Sequence, residues 1–147
     1  MQWHQGDFNS LSAQQWYSVL QLRAAVFVVE QDCVYQDIDG LDLNPECIHL
    51  LALNEDFQVC AYARILPAGT PYPEVSIGRV VVSANGRGSG LGHRLMQRAC
   101  RAAQVVTKQR ISLSAQSHLQ GFYAQHGFVA TGAEYLEDGI PHIKMVR

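Results

Sequence analysis

The apolar positions of this chain change period several times, and each change marks an element. Trp3, His4 and Phe8 belong to a short opening stretch that reads as a first strand. Ser12 followed by Gln15 has the pattern of a capping box, in which side chain and backbone satisfy each other's free groups at a helix start. Leu11 stands just before it, where a hydrophobic staple would sit. Behind the cap, Trp16, Val19, Leu20, Arg23, Val26 and Phe27 recur at helical spacing. β-Branched residues crowd the end of that run at Val28 and Val29, so the pattern leaves the end of the helix open. Residues 32–44 are polar and acidic and read as a loop.

The period then shortens. Residues 47–53 and 58–66 read as two strands of a hairpin around the turn Asn54-Glu55-Asp56. A loop with three prolines, 67–73, leads to residues 76–82, whose run of valines predicts a central strand buried on both faces. A long helix is expected over 89–107, with Leu91, Leu95, Met96, Ala99, Ala102, Ala103 and Val106 on its apolar face. Residues 111–115 alternate strictly, so strand, helix and strand form a crossover in which the two strands run parallel. A short helix over 117–125 stops at Gly127, and strands at 128–130 and 142–146 flank a turn at 138–141. The result is a mixed α/β fold with an antiparallel front half. No repeat, linker or low-complexity tract divides the chain, so one domain, 1–147, is expected.

Composition narrows the function classes. With 48% hydrophobic and 16% charged residues the chain can bury a core. A net charge of -2 supplies no footprint for nucleic acid or an anionic membrane. No apolar run approaches the roughly 18 residues of a membrane span, and residues 1–7 lack the regions of a signal peptide. Cys33, Cys47, Cys60 and Cys100 are scattered, which suits buried free thiols in a reducing compartment, the cytoplasm. No Cys or His pair stands at ligand spacing, and His118 and His126 are too far apart to share a turn, so no metal is expected.

The candidate chemistry begins at Arg87-Gly88-Ser89-Gly90-Leu91-Gly92, between a strand and a long helix. Glycines allow positive φ and close backbone approach, and the first amides of a helix attract anions. Arg87 adds a permanent cation with a fork suited to a pyrophosphate. The Rossmann spacing fails, since His93 follows Gly90 by three and Leu91 follows Gly88 by three; a P-loop fails for want of a Lys-Ser/Thr pair. Alone, the segment fits a plain tight turn equally well.

It does not stand alone. The valine strand Val80-Val81-Val82, the glycine turn continuing through His93-Arg94-Leu95-Met96, and Phe122-Tyr123-Ala124-Gln125-His126-Gly127-Phe128 together resemble the GNAT superfamily of N-acetyltransferases. Residues 23–31, 35–42, 77–82 and 135–142 extend the resemblance to the ElaA-type subgroup over nearly the whole chain. The resemblance implies a mostly antiparallel sheet with a splayed parallel pair flanked by helices, and acetyl-CoA as co-substrate. It implies that the backbone of Val80, Val81 and Val82 pairs with pantetheine, one N–H polarising the thioester carbonyl. Arg87, Gly88, Ser89, Gly90, Leu91 and Gly92 would hold the pyrophosphate, and Tyr123 would protonate the departing thiolate. Gln116 stands near where many members carry an asparagine that contacts the cofactor. Homodimers are frequent in the superfamily.

The acceptor side is less defined. A base is needed because an ammonium cannot attack a carbonyl, and Glu30, Glu74, His49, Glu137 and His142 are all candidates, with Glu30 chosen for the catalytic role. His49 alternates with apolar residues and reads equally as a structural histidine. The acidic loop with Asp37, Asp39 and Asp42 reads first as a solvated charged loop, with attraction of a cationic amine as the other meaning. Arg64 and Arg79 lie on apolar strands and need carboxylate partners, for which Glu30 is the expected one, with Tyr35 lining the acceptor side. Tyr35, His49, Arg64 and Arg79 are thus the candidate acceptor-binding residues. No cysteine is placed for an acyl-enzyme, so direct attack on a primary amine or peptide acceptor in a ternary complex is expected. The alternatives are an acyl-CoA sensor without acceptor chemistry and an interaction module whose turn binds nothing.

Overall fold

A computed structural model describes all residues, Met1–Arg147. The sheet has seven strands: β1 (Gln2–Gly6), β2 (Ile48–Leu53), β3 (Val59–Leu66), β4 (Val75–Val82), β5 (Ile111–Gln116), β6 (Val129–Glu137) and β7 (Ile140–Val146). Their order is β1-β2-β3-β4-β5-β7-β6, and every neighbouring pair is antiparallel except β4 and β5. Helix α1 (Ala13–Arg23), α2 (Leu91–Val106) and the short α3 (Gln120–Ala124) pack around it. The larger apolar cluster joins α2 to the sheet through Leu91, Leu95, Met96 and Ala99. The smaller one joins α1 to the other face through Val19, Leu22, Tyr62 and Val81. No helix is long and apolar enough to cross a membrane.

The α1 cap forms as its residues predict: Gln15 N–H donates to Ser12 Oγ at 3.0 Å, and Ser12 N–H donates to Gln15 Oε1 at 2.9 Å. Its C-terminal end is the feature that the pattern left open. Instead of stopping, the chain widens into a π-helical stretch, Ala24–Glu30, that holds the β-branched residues. This stretch carries Phe27 and Glu30, with Gln31 just after it, to one wall of the central cleft.

The crossover between β4 and β5 is parallel, but only Val75 with Ile111 and Ser76 with Ser112 face each other in register. Beyond Ser76 the two strands part, and β5 keeps its other ladder to β7 as far as Gln116 with His142. The expectation that Val80–Val82 is buried on both faces is therefore corrected. Val81 is buried, whereas Val80 and Val82 are half-buried beside the opening. Across β3, the register advances two residues from Tyr62 to Arg64 while β4 advances three, from Val81 to Gly78. The extra residue is a bulge, with Arg79 in the left-handed region at φ 52. β6 is longer than expected, because two additional residues between Thr131 and Tyr135, with Gly132 at φ 73, break the alternation that would have announced it.

Candidate active site

The splay opens a cleft of about 930 Å³ between β4 and β5, lined by residues of the π-helical stretch, both strands, α3 and the β6–β7 hairpin. Along β4, the edge turned towards β5 has no ladder partner beyond Ser76, so its backbone groups are available to a ligand. The glycine turn lies at one end. Gly88 and Gly90 both take φ 80, a conformation open to glycine and strained for other residues. The first α2 hydrogen bond runs from Arg94 N–H to Gly90 O at 3.1 Å, which leaves the amides of Leu91, Gly92 and His93 ahead of the helical ladder. Of the residues expected to hold a pyrophosphate, Arg87 and Gly92 line the cleft. Gly88, Ser89 and Gly90 are exposed and outside the lining, and the Leu91 side chain belongs to the core.

Tyr123 lines the cleft from α3 and is buried, with edge contacts to Phe122 and Phe128. Burial pushes its phenol up to about 12, so it stays protonated at neutral pH. Gln116 also lines the cleft and donates through Nε2 to Gln31 Oε1 at 3.1 Å, linking the end of β5 to the π-helical wall.

Arg64 and Arg79 do find carboxylates, but not Glu30. Arg64 meets Asp39 Oδ2 at 2.6 Å and Asp42 Oδ1 at 3.0 Å; Arg79 Nε meets Asp37 Oδ1 at 2.8 Å. The third cation is Arg23, fully buried, with Nε 2.9 Å from Asp37 Oδ2 and Nη1 2.9 Å from Asp42 Oδ1. Three arginines thus meet three aspartates in a closed lattice, and the reading of 32–44 as a solvated loop is corrected at Asp37 and Asp42, which are buried. Burial alone would raise the Asp39 carboxyl, but the hydrogen bonds and charge of Arg64 outweigh it and hold it at about 2. Tyr35 lines the cleft, donates to Asp37 Oδ1 at 2.6 Å and lies under the Arg79 guanidinium. Burial first, and this hydrogen bond second, raise its phenol above the ordinary value.

His49 does not reach the cleft. Its ring is fully buried, with Nδ1 2.6 Å from the Tyr62 hydroxyl and Nε2 3.0 Å from Asp42 O, and Trp16 packs edge-on against it. The carbonyl can only accept, so Nε2 carries the proton and Nδ1 accepts from Tyr62. Burial keeps the imidazole neutral by lowering its pKa, and the histidine is satisfied within the core. Glu74 pairs with Lys144 at 2.8 Å and also lies off the lining. Glu30 instead forms a forked pair with Arg87, Nη1 to Oε1 at 3.0 Å and Nη2 to Oε2 at 2.9 Å, half-exposed at the glycine-turn end. Glu137 and His142 line the opposite part of the cleft from the β6–β7 hairpin. Arg23 was hidden from sequence reasoning in plain view: an arginine within an apolar helical stripe signals a buried carboxylate partner.

The acetyltransferase (GNAT) domain family matches residues 11–147. The chain belongs to this family. Protein ElaA of Escherichia coli is 45% identical over 148 residues, covering 100% of this chain and 96% of that protein. Among solved structures, an acyl-CoA N-acyltransferase from Pseudomonas aeruginosa superposes with a TM-score of 0.92 at 47% identity, covering 100% of this chain and 99% of that one. The crystal structure of E. coli ElaA gives the same TM-score of 0.92 at 44% identity, covering 99% of this chain and 98% of that one. In this GNAT chain the parallel pair, the gap beyond Ser76, and Arg87 and Gly92 of the glycine turn border one cleft.

Proposed function

We propose that this chain is a single-domain N-acetyltransferase, residues 1–147, that moves an acetyl group from acetyl-CoA to a primary amine by direct attack in a ternary complex. The observation that carries the reading is the cleft itself. An unpaired β4 edge, an arginine and free helix amides at one end, and a buried neutral phenol share one opening. The amides of Val80–Val82 suit the pantetheine and thioester carbonyl, which gain most from a donor as charge develops on oxygen. Arg87 with the Gly88–Gly92 backbone suits the pyrophosphate, and Gln116 lines the same cleft. Tyr123 supplies the proton that the thiolate takes on leaving. Four free, buried cysteines fit a reducing compartment such as the cytoplasm.

Two measurements test this. Thermal unfolding with acetyl-CoA should show stabilisation of about 2.7 kcal/mol at roughly 100 times Kd. A flat titration at millimolar concentration removes the donor site. Tyr123→Phe should lower kcat by about 10²-fold or more while acetyl-CoA KM changes little. Equal kcat would take the phenol out of the mechanism, and tight cofactor binding with no amine-dependent CoA release would favour a sensor.

A further inference from the structure

The charges lining the cleft do not balance, and the imbalance is local. Its three arginines are all committed: Arg64 and Arg79 to the aspartate lattice, Arg87 to Glu30. Its four carboxylates are Glu30, Asp39, Glu137 and Asp138. The first two face those arginines, whereas Glu137 has only His142, and Asp138 forms no ion pair. Surplus negative charge therefore sits at the β6–β7 hairpin, where Asp138 and Gly139 make the turn at φ 50 and φ 78.

The pair Glu137–His142 also lacks a donor whenever the ring is neutral and the carboxyl ionised. His142 Nδ1 lies 2.7 Å from Ile140 O, and a carbonyl only accepts, so Nδ1 carries the hydrogen of the neutral ring. Its Nε2 lone pair then points at Glu137 Oε2, 3.2 Å away, and two acceptors face each other. A donor must complete the contact: a second ring proton, a protonated Glu137 carboxyl, or an N–H from outside. An alkyl ammonium has three such hydrogens and the charge that the hairpin lacks. The ring is buried and stacked on Tyr135, which faces His142 across the ladder, while Glu137 is half-exposed at the opening.

We propose that Glu137 and His142 form the acceptor subsite: Glu137 binds the incoming ammonium and His142 Nε2 removes its proton. This rests on the acetyl transfer proposed above. The freed amine nitrogen bonds to the thioester carbonyl carbon and the C–S bond breaks. The sulfur takes the Tyr123 phenol proton, and the second proton lost from nitrogen refills the phenolate. The proton on His142 is released to solvent, leaving amide, free thiol and one proton from ammonium and thioester. Groups facing His142 are Glu137 and Tyr135 on β6, Gln116 on β5 and, two residues on along β7, Lys144, already bound to Glu74; Asp138 in the turn lines the same cleft.

The test uses 1,4-diaminobutane and n-butylamine with the whole chain. His142→Gln should lower amine kcat/KM about 10²-fold at neutral pH and leave acetyl-CoA affinity, read by titration, within twofold. Between about pH 8 and 9 His142→Gln should climb about tenfold per pH unit as free amine accumulates, so that its gap to wild type narrows with pH. Glu137→Gln should raise amine KM about tenfold with a smaller change in kcat. Independently of turnover, the His142 Nε2 signal in ¹⁵N NMR of the CoA complex should shift on adding 1,4-diaminobutane. Wild-type rates and pH profiles in both variants would overturn the subsite alone. An unmoved His142 signal would also overturn it, whereas loss of acetyl-CoA binding by the wild-type chain would strike the donor site instead.

Discussion

Arg79 and Arg87 stand eight residues apart on one strand and loop, and each meets a carboxylate, yet the two pairs do different work. Arg79 sits in the β4 bulge with a left-handed backbone, its guanidinium bound by Asp37 and Asp39, which also bind Arg23 and Arg64. Every charge there has two partners, and Arg23, Arg64, Asp37 and Asp42 are buried, so none of these four can leave cheaply. Arg87 has one charged partner, Glu30, and both are nearly half-exposed at 44% and 46%. An exposed pair is worth about 0–1 kcal/mol, so a ligand phosphate can replace it. The same ion-pair chemistry shapes the cleft in one place and leaves a grip open in the other.

Breaking the lattice should have the largest effect. Arg23→Met leaves Asp37 and Asp42 buried with one cation fewer each, and should cost about 3–5 kcal/mol in denaturant unfolding. A loss below about 1 kcal/mol would mean the lattice is no more tightly committed than the surface pair. Next comes acid. The Asp39 carboxyl is held at about 2 against an ordinary 3.8, so the folded state binds its proton less readily than the unfolded chain. Its contribution is complete above about pH 4 and is lost as pH falls towards about 2; because the carboxylate is part-exposed, solvent screening limits it to about 1 kcal/mol. Asp39→Asn should erase that part of the acid dependence while leaving the rest, as urea midpoints across this range would show.

At the open pair, Arg87→Ala should change stability by about 1 kcal/mol or less, since the partner it abandons is half-exposed. Acetyl-CoA affinity should fall about tenfold, the loss of roughly 1.4 kcal/mol expected for a charge-assisted contact to phosphate. Calorimetric titration beside thermal unfolding separates the two effects. Equal damage to stability and affinity would erase the contrast with Arg79.

The contrast was half legible in the sequence. Local signals carried over: the capping box at Ser12 and the glycines at 88 and 90 with positive φ depend on neighbours a few residues away, and the parallel crossover follows from the local order strand, helix, strand. The lattice was not legible, because it joins residue 23 on a helix, 37–42 in a loop, and 64 and 79 on two strands, and no local period reports such a convergence. The acidic loop looked solvated for the same reason: composition counts charges but not their partners. Glu30 went to the wrong arginine because the π-helical widening after Arg23 redirects the residues that follow. The hairpin end was obscured by the β6 irregularity between Thr131 and Tyr135, which hid where Glu137 would face.

The smallest effect discriminates most finely. Glu30→Gln keeps the size of the side chain and removes its charge, so Arg87 loses its competitor and a pyrophosphate meets one negative charge fewer. An exposed pair worth about 0–1 kcal/mol can restrain the grip by no more than about fivefold, so acetyl-CoA Kd should tighten by a factor of roughly two to five. The gain should shrink with salt, because the Debye length falls from about 8 Å at 0.15 M to about 3 Å at 1 M. kcat should be nearly unchanged, since the carboxylate is engaged at the glycine turn and not at the hairpin. A large fall in kcat with unaltered cofactor affinity would return Glu30 to the role of base. It would also make the Arg87 pair a catalytic arrangement and not a releasable one.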